Sequence, residues 1–222
     1  MNRPQILTRP AVSGIEVNKV LKNTYVLLSL TLLFSAVTAG LSMTFNWPHP
    51  GMLITLVGYF GLLILTTKFR NSGLGLVFVF ALTGFMGLTL GPIVSYYVTA
   101  VPNGNELVMM ALGGTGVIFL GLSGYALTTQ KDFSFMGGFL FAGILVAFLL
   151  GIGAAVFSVP ALSLAVSAMF ILLMSAMILY QTSAIIHGGE TNYIMATITL
   201  YVSIYNIFLS LLQLLGVFGG DE

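Results

Sequence analysis

Charged residues are rare and cysteine is absent in this chain of 222 residues. Only 6% of its residues are charged, whereas about a quarter are charged in a soluble domain. The net charge is +1 and the basic residues form no run, so the composition excludes a soluble, disordered or nucleic-acid-binding protein. The lack of cysteine excludes a disulfide framework, a thiolate nucleophile and a cysteine-based metal site. With 58% hydrophobic residues, the chain is predicted to be an integral membrane protein embedded in the lipid bilayer.

The spacing of the few charged residues predicts the number of membrane spans. A spanning helix needs about 20 residues without uncompensated charge, because the hydrocarbon core is roughly 30 Å thick. Proline-containing segments at 46–51, 101–105 and 158–160 divide the uncharged intervals, since proline does not continue a helix. The sequence therefore predicts an all-α, polytopic membrane protein with seven transmembrane helices, at about Tyr25–Phe45, Met52–Thr67, Leu74–Thr99, Leu107–Thr129, Phe133–Phe157, Leu162–Ile186 and Thr191–Gly216.

The segment before the first span is predicted to be a polar, cationic tail. Residues 1–22 contain no apolar core of the kind that a cleavable signal peptide requires. Two prolines and several polar residues near the start predict a mobile tail, with a short helix from Glu16 to Lys22. The predicted organisation is thus a cytoplasmic N-terminal tail at residues 1–22 and a seven-helix transmembrane domain at residues 23–222.

The basic residues predict the orientation of the bundle. All seven lie in the tail, between spans two and three, or between spans four and five: Arg3, Arg9, Lys19, Lys22, Lys68, Arg70 and Lys131. Lys and Arg in short loops stay on the cytoplasmic side, so this bias sets the topology. The amino terminus is therefore predicted to be cytoplasmic and the carboxyl terminus to lie across the membrane.

The predicted spans contain no Asp, Glu, Lys, Arg or His residue. Pumps and proton-coupled carriers keep ionisable groups in the membrane, although each costs about 2.5–3.5 kcal/mol there. Their absence argues against an active transporter. It is compatible with a passive pathway and with an interaction protein.

The seventh span carries a stripe of neutral polar residues, here called the polar stripe. Its members recur at spacings of four, three, four and three residues: Thr199, Ser203, Asn206, Ser210 and Gln213. A polar stripe that faced lipid would leave its groups without partners, so it is predicted to face other helices or trapped water. Two interpretations follow: hydrogen bonds between helices, or the lining of a cavity or narrow conduit.

The third span carries small residues at helical spacing. Gly84, Gly87 and Gly91 form one groove, and Pro92 follows them directly. Glycine grooves let the backbones of two membrane helices approach closely. The groove therefore predicts tight packing of the third span on a neighbouring helix.

One motif has the form of a catalytic nucleophile. Residues 121–124 read G-x-S-G, and Ser123 needs a histidine within hydrogen-bond reach, for which His187 is predicted to lie on the same side. Small residues in a membrane helix usually serve packing, and no span contains a further histidine, so no catalytic residue and no enzymatic activity are predicted. His49 and His187 fall on opposite membrane faces without companion ligands, so no metal site or cofactor is predicted.

The loop between spans six and seven is the most polar short loop. It contains His187, Gly188, Gly189 and Glu190. The glycines supply a turn, and Glu190 is placed to offset the positive helix dipole of span seven, which predicts a capping role. The alternative is a cytoplasmic contact surface.

Four segments together resemble the Bax inhibitor 1 family of seven-span membrane proteins. The resemblance covers essentially the whole chain and is carried by Gly84–Pro92, Tyr125–Gly138, Tyr180–Ile194 and Leu200–Gly216. Two segments, Val20–Thr31 and Ile185–Ile194, are most similar to the family's bacterial branch called YccA. The second of these reads I-I-H-G-G-E-T-N-Y-I.

The resemblance implies a fold in which the seventh helix is central and surrounded by the other six. It also implies an acidic pair, since family members that leak calcium carry one acid on helix six and one on helix seven. The matching positions here are Gln181 and Ser203. Neither side chain titrates near neutral pH, so pH-gated calcium conduction is not expected.

For the bacterial branch, the resemblance implies a protein of the inner membrane that binds and modulates the FtsH protease complex. The predicted tail is polar, cationic and on the side where such a protease engages its clients. A solvated tail that only orients insertion explains the same composition. The alternative function is a passive leak for calcium or another cation along the polar stripe.

Overall fold

All regular structure in the described part of the chain is helical. The computed structural model describes residues 14–219, and within them the seven predicted helices are each long and apolar enough to cross a membrane. A single 3₁₀ turn at Ser134–Met136 precedes the fifth helix. In chain order the helices are α1 (Gly14–Thr44), α2 (Met52–Phe69), α3 (Gly73–Ala100), α4 (Gly104–Thr129), α5 (Gly137–Val156), α6 (Pro160–Ile186) and α7 (Tyr193–Phe218).

The helix ends have local causes. Gln130 adopts a left-handed conformation with φ 49° and ends α4 by donating its backbone N–H to the carbonyl of Ala126. Pro160 opens α6, where the missing backbone donor would have no helical partner in any case. Within the sequence 46–50, the two prolines keep the chain out of a helix between α1 and α2. The predicted span boundaries therefore agree with the observed ones within a few residues, except at the start of α1.

Helix α1 begins well before the predicted first span. It contains 31 residues, which correspond to about 46 Å of helix, whereas the hydrocarbon core is only about 30 Å thick. Its first turns carry the predicted helix Glu16–Lys22, and Ile15 is 82% exposed. Residues 14–22 of the predicted tail are thus continuous with the first membrane helix, and residues 1–13 lie outside the described part.

The helices pack in an order that gives α7 four main neighbours. Helix α7 contacts α1, α3, α4 and α6, and α1 packs most closely on α3. Helix α2 packs mainly on α3, and α5 packs mainly on α6. The expectation that all six other helices surround α7 is therefore not confirmed by the described contacts.

The outer surface of the bundle is apolar. In α2 only Thr66 is buried, whereas large side chains such as Leu53 and Val57 point outward and are 78% and 73% exposed. A water-soluble protein does not present such a surface, because contiguous apolar patches of that size associate. Lipid is the solvent that this surface fits.

Five of the seven basic residues gather at one end of the bundle, here called the basic end. Hydrogen bonds between the connections bring its parts together. The α6–α7 connection is tied to the α2–α3 connection by the Asn192 amide and the Arg70 carbonyl, 3.1 Å apart. The α4–α5 connection is tied to α6 by the Phe133 N–H and the Ser183 hydroxyl, 3.0 Å apart. The described basic residues are Lys19, Lys22, Lys68, Arg70 and Lys131.

Candidate functional site: two polar faces of the seventh helix

Three members of the polar stripe bond to their own helix. The Thr199 hydroxyl donates to the Met195 carbonyl at 3.1 Å, and the Ser203 hydroxyl donates to the Thr199 carbonyl at 2.8 Å. The Asn206 amide donates to the Val202 carbonyl at 2.8 Å. Short polar side chains in a helix reach the carbonyl one turn back in this way. These three donors therefore bond within α7.

Gln213 is the stripe member that bonds across helices. Its Nε2 donates to the Ser163 hydroxyl at 2.6 Å, and its Oε1 accepts from the Ser167 hydroxyl at 2.7 Å. Both serines lie near the start of α6. Gln213 therefore joins α7 to α6 at the end of the bundle opposite the basic end. The fifth member, Ser210, is buried on the same side of α7. The polar stripe thus bonds to α6 through Gln213.

Gln181 and Ser203, the positions that match the family's acidic pair, are both buried. No hydrogen bond joins them in the described residues, because the Ser203 hydroxyl is directed to Thr199 and the Gln181 Nε2 has no partner. Two neutral groups at these positions leave no carboxylate to hold or release a proton.

A second polar face of α7 was not identified from the sequence. It consists of Thr197, Tyr201 and Tyr205, spaced four residues apart, and is here called the tyrosine face. The two tyrosine rings stack on each other with their centroids 6.2 Å apart. The spacing of four residues is the signal in the sequence that could have identified this face.

The tyrosine face bonds to α1 and α3. The Tyr201 and Ser35 hydroxyl oxygens are 2.7 Å apart, and Tyr201 also donates to the Thr83 carbonyl at 3.3 Å. The Thr197 hydroxyl donates to the Tyr193 carbonyl of its own helix at 2.7 Å, and the Thr24 carbonyl of α1 lies 3.3 Å from the same hydroxyl. These bonds join three helices in the interior of the bundle, where water does not compete for the groups.

The glycine groove of α3 packs tightly on a neighbouring helix, as the sequence predicted, and that helix is α1. A Cβ atom added at Gly91 would lie 2.7 Å from the Ala39 carbonyl oxygen, and one added at Gly87 would collide with the backbone of Ser35. Ser42 reaches across this contact and donates to the Leu88 carbonyl at 2.9 Å. Close approach of the two backbones therefore places Ser35 within reach of Tyr201.

Two cavities flank α7 in the membrane-spanning part. One, of about 410 Å³, lies between α7 and helices α2, α3, α5 and α6. The other, of about 440 Å³, lies between α7 and helices α1, α3 and α4. Both linings are almost wholly apolar, and Tyr205 belongs to both. Asn206 is the stripe member that lines a cavity, so most of the polar stripe does not face these spaces.

The loop His187–Glu190 closes α6 and leads into α7. The backbone N–H groups of Gly189 and Glu190 both donate to the Ala184 carbonyl, at 2.8 and 3.0 Å, and Gly188 takes a left-handed φ of 72°. This is the turn that the glycines predicted. The capping role predicted for Glu190 falls to Asn192, whose side chain accepts from the first backbone N–H groups of α7. The Glu190 carboxylate instead accepts from the Asn192 N–H at 2.7 Å.

Ser183 ties the α4–α5 connection to the end of α6. Its hydroxyl donates to the Lys131 carbonyl at 3.1 Å and accepts from the Phe133 N–H at 3.0 Å. Beside it, the exposed Asp132 carboxylate accepts a bond from the Ser134 N–H at 2.8 Å, which lowers the pKa of Asp132 below its ordinary value. His187 on the same surface lowers that pKa further, as a smaller effect.

The residues of the G-x-S-G motif do not form a catalytic pair in the described part of the chain. The Ser123 hydroxyl is buried and has no hydrogen-bond partner, and the Nδ1 of His187 lies 2.9 Å from the Ser183 carbonyl. Among residues 14–219, no three His, Cys, Asp or Glu side chains gather as metal ligands. The observed geometry of the site is thus that of helix packing and helix closure.

Known proteins match this chain over nearly its full length. The family model described as "Inhibitor of apoptosis-promoting Bax1" matches residues 17–220, which include all seven helices apart from the first turn of α1. An uncharacterized protein of Pseudomonas aeruginosa is 55% identical over 207 residues, 93% of each chain.

Two further relatives come from Escherichia coli. The "Modulator of FtsH protease YccA" of strain K12 is 52% identical over 222 residues, 100% of each chain. The "Inner membrane protein YccA" of strain O6:H1 matches to the same extent. Both the family model and these relatives agree with a multi-pass helical membrane protein. The chain therefore belongs to the Bax inhibitor 1 family.

Proposed function

We propose that this chain is a non-enzymatic protein of the bacterial inner membrane that binds and modulates an FtsH-type membrane protease complex. Its amino terminus lies in the cytoplasm and its carboxyl terminus in the periplasm. The observation that carries the proposal is the 52% identity, over the full length of both chains, to a relative named as a modulator of that protease. The inner-membrane location rests on the name of a second relative.

The basic end is the proposed contact surface. Helix α1 extends about 16 Å beyond the length that a bilayer core needs, and its first turns carry Lys19 and Lys22. The loop His187–Glu190 lies at the same end, and His187 and Gly189 are exposed. A protease domain outside the membrane reaches a projecting helix and a polar loop more readily than side chains within the bilayer. Residues 1–13 belong to the same proposed surface.

Affinity purification from native membranes tests the proposal. A tag placed after Glu222 leaves the basic end unmodified, and an equally tagged seven-helix protein of another family serves as the control. We expect the protease subunits to be enriched with this chain and not with the control. The proposal would be contradicted if the chain recovered no more protease than the control does, from membranes that contain the chain and the protease at native abundance.

Two variants separate the proposed contact surfaces. Deletion of residues 2–13 removes the first part of the predicted tail and leaves α1 intact. The double variant Lys19→Gln with Lys22→Gln removes the charge of the projecting turns without shortening the helix. We expect both changes to reduce protease recovery several-fold while the amount of folded protein in the membrane stays the same. If both variants recover as much protease as the parent protein, the contact surface lies on the membrane-spanning helices instead.

The alternative function, a passive calcium leak along the polar stripe, has weaker support. Three of the stripe's side chains bond to their own helix, and Gln213 bonds to α6. The cavities beside α7 have apolar linings, which disfavour a hydrated ion. Liposomes loaded with a calcium-sensitive dye test this alternative: we expect no calcium entry above that of empty liposomes, at pH 6 and at pH 8.

A further inference from the structure

The larger of the two cavities beside α7 is a groove that opens on the outer surface of the bundle. Its volume is about 440 Å³, and it is here called the α1–α4 groove, because these two helices form its sides. Helices α1 and α4 both pack on α3 and α7, but they do not pack closely on each other. Three of the lining residues are exposed, namely Ala36 and Gly40 on α1 and Leu112 on α4. The groove is therefore continuous with the apolar surface that lipid covers.

The α1–α4 groove runs along the helices from the end opposite the basic end. On α1 its lining extends from Leu32 to Met43, one residue before the helix ends. On α4 it extends from Val108, four residues after the helix begins, to Phe119. Each stretch corresponds to about 17 Å of helix. One leaflet of the hydrocarbon core is about 15 Å deep, which is half of the total thickness. The groove therefore has the length and the direction of one leaflet.

An aromatic contact lies at the inner end of the α1–α4 groove. Phe119 is the lining residue of α4 that is nearest to the basic end, and its ring centroid lies 6.1 Å from that of Tyr25 on α1. The Tyr25 hydroxyl in turn lies 3.5 Å from Oγ1 of Thr182 on α6. Helices α1, α4 and α6 are thus joined between the groove and the basic end. This geometry is that of a blind groove, and it is not that of a conduit through the bundle.

The polar side chains in the lining already have hydrogen-bond partners. The hydroxyl oxygens of Ser35 and Tyr201 lie 2.7 Å apart, and the Thr115 hydroxyl donates to a carbonyl one turn back on its own helix at 2.7 Å. The Tyr205 hydroxyl lies 3.4 Å from that of Thr89. The other lining residues have apolar side chains or are glycine. A polar ligand would lose hydration in this groove with little compensation, whereas a hydrocarbon chain would not.

We propose that the α1–α4 groove binds an acyl chain of a phospholipid from the leaflet opposite the basic end. Its volume and length correspond to a mean width on the order of 5 Å. Carbon atoms of neighbouring groups lie about 3.5–4.0 Å apart, so this width admits one hydrocarbon chain and not two side by side. Helices α1 and α4 contact such a chain from the sides, and α3 and α7 contact it from behind. A lipid on the outer face of α2 is contacted from one side only, so it gains less dispersion energy.

Photo-crosslinking tests where the acyl chain lies. The full chain is reconstituted in lipid nanodiscs that contain a phosphatidylethanolamine with a diazirine in one acyl chain, and the labelled peptides are identified by mass spectrometry. We expect labelling of residues 32–43 and 108–119 to exceed, several-fold, that of the exposed face of α2, which includes Leu53 and Val57. Equal labelling of the two regions would overturn the proposal, because lipid would then cover the groove only as it covers any other outer surface.

Two glycines allow the groove to be filled from either side. Gly40 and Gly116 both line it, and a Cβ atom added at either position would meet nothing within 4 Å. We expect Gly40→Leu and Gly116→Leu each to lower labelling of the groove several-fold and to leave that of α2 unchanged. Gly113→Leu is the matched control, since Gly113 has equal space on α4 but lies outside the lining. If both filling variants are labelled like the parent protein, the proposal is wrong.

Native mass spectrometry identifies the occupant. For the full chain released from native membranes in mild detergent, we expect a species whose mass is increased by that of one phospholipid. This species should be kept in Gly113→Leu and lost in the double variant Gly40→Leu with Gly116→Leu, whose thermal unfolding midpoint in the same detergent shows whether it is folded. A bare parent chain, a fatty-acid adduct or a lipid-free dimer would each contradict the proposal. The groove would then be empty, filled by a free acid or covered by a second copy.

Discussion

The two polar faces of α7, the polar stripe and the tyrosine face, use their side-chain hydrogen-bonding groups differently. In the polar stripe, Thr199, Ser203 and Asn206 donate to carbonyls of α7 itself. On the tyrosine face, the hydroxyl of Tyr201 reaches Ser35 on α1. One face is therefore largely self-contained, whereas the other joins helices.

The length of the side chain explains this difference. Serine, threonine and asparagine are short enough to be satisfied one turn back on their own helix, so polarity at helical spacing does not by itself create a contact between helices. Tyrosine and glutamine carry their polar groups beyond the surface of the helix. Gln213 fits this explanation within the stripe, since it is the long member and the one that bonds to α6.

The largest expected effect comes from separating α1 from α3. Gly87→Leu places a side chain against the backbone of Ser35, so α1 must move away and Tyr201 loses its partner. Overpacking of this kind is expected to lower the free energy of unfolding by about 3 kcal/mol or more. The measurement is the SDS-induced unfolding transition in mixed micelles. Gly113→Leu is the control, because nothing lies within 4 Å of an added Cβ there, and it should unfold like the parent protein.

A smaller loss of stability is expected at Gln213, the member of the polar stripe that bonds to α6. Gln213→Leu removes two hydrogen bonds between helices, while Ser163 and Ser167 can turn back to carbonyls of α6. The free energy of unfolding should fall by about 1–2 kcal/mol. The same SDS titration measures it. Stability equal to that of the parent protein would mean that the two hydrogen bonds of Gln213 do not stabilise the fold. The length of its side chain would then not explain why Gln213 differs from the rest of the stripe.

On the opposite face, Tyr201→Phe removes a single hydroxyl and keeps the ring. Ser35 loses its bond to Tyr201 at 2.7 Å, and the Thr83 carbonyl loses a weaker one. Hydrogen bonds between membrane helices contribute about 0.6 kcal/mol on average and up to about 1.7 kcal/mol. We expect a loss of about 1 kcal/mol in the SDS titration. Ser35→Ala with Tyr201→Phe should cost little more than either change alone, since both remove the same bond.

The spans and the tight packing of α3 were both accessible from the sequence. The number of spans followed from the few charged residues together with the prolines that divide the long uncharged intervals, because a charge inside the bilayer is costly and proline does not continue a helix. Close packing at Gly87 and Gly91 also followed, since glycines at this spacing let two membrane helices approach closely, but the sequence did not identify α1 as the partner. The start of α1 did not follow, because Lys19 and Lys22 do not prevent a helix from continuing into water.

The sequence was less informative about partners. The stripe was recognised from its spacing, but the direction in which each short side chain donates depends on rotamers and not on spacing. Tyr201 was not identified from the sequence, since its bond to Ser35 depends on the position of a helix more than a hundred residues earlier in the chain. Long-range geometry of this kind comes from packing, which a single sequence does not reveal.

Local bonding by a short side chain also occurs on the surface of the basic end. Asp132 bonds to the Ser134 N–H, two residues along the chain. Because this bond lowers the pKa of Asp132 in the folded chain, the carboxylate stabilises the fold above its ordinary pKa of about 3.9, and that stability is lost as the pH falls below it. Melting midpoints between pH 6 and pH 3 should fall less in Asp132→Asn than in the parent protein. Equal falls would mean that the local bond does not affect stability.

The smallest expected change in the free energy of unfolding comes from a substitution that tests the role of side-chain length. Ser203→Ala removes a buried hydroxyl from the middle of α7, at the position that matches one member of the family's acidic pair. Since that hydroxyl donates only to Thr199 on its own helix, whose carbonyl keeps its backbone bond, the free energy of unfolding should change by less than about 0.5 kcal/mol. A loss as large as that of Tyr201→Phe would mean that Ser203 has a partner on another helix. The two faces of α7 would then not differ in the way that side-chain length predicts.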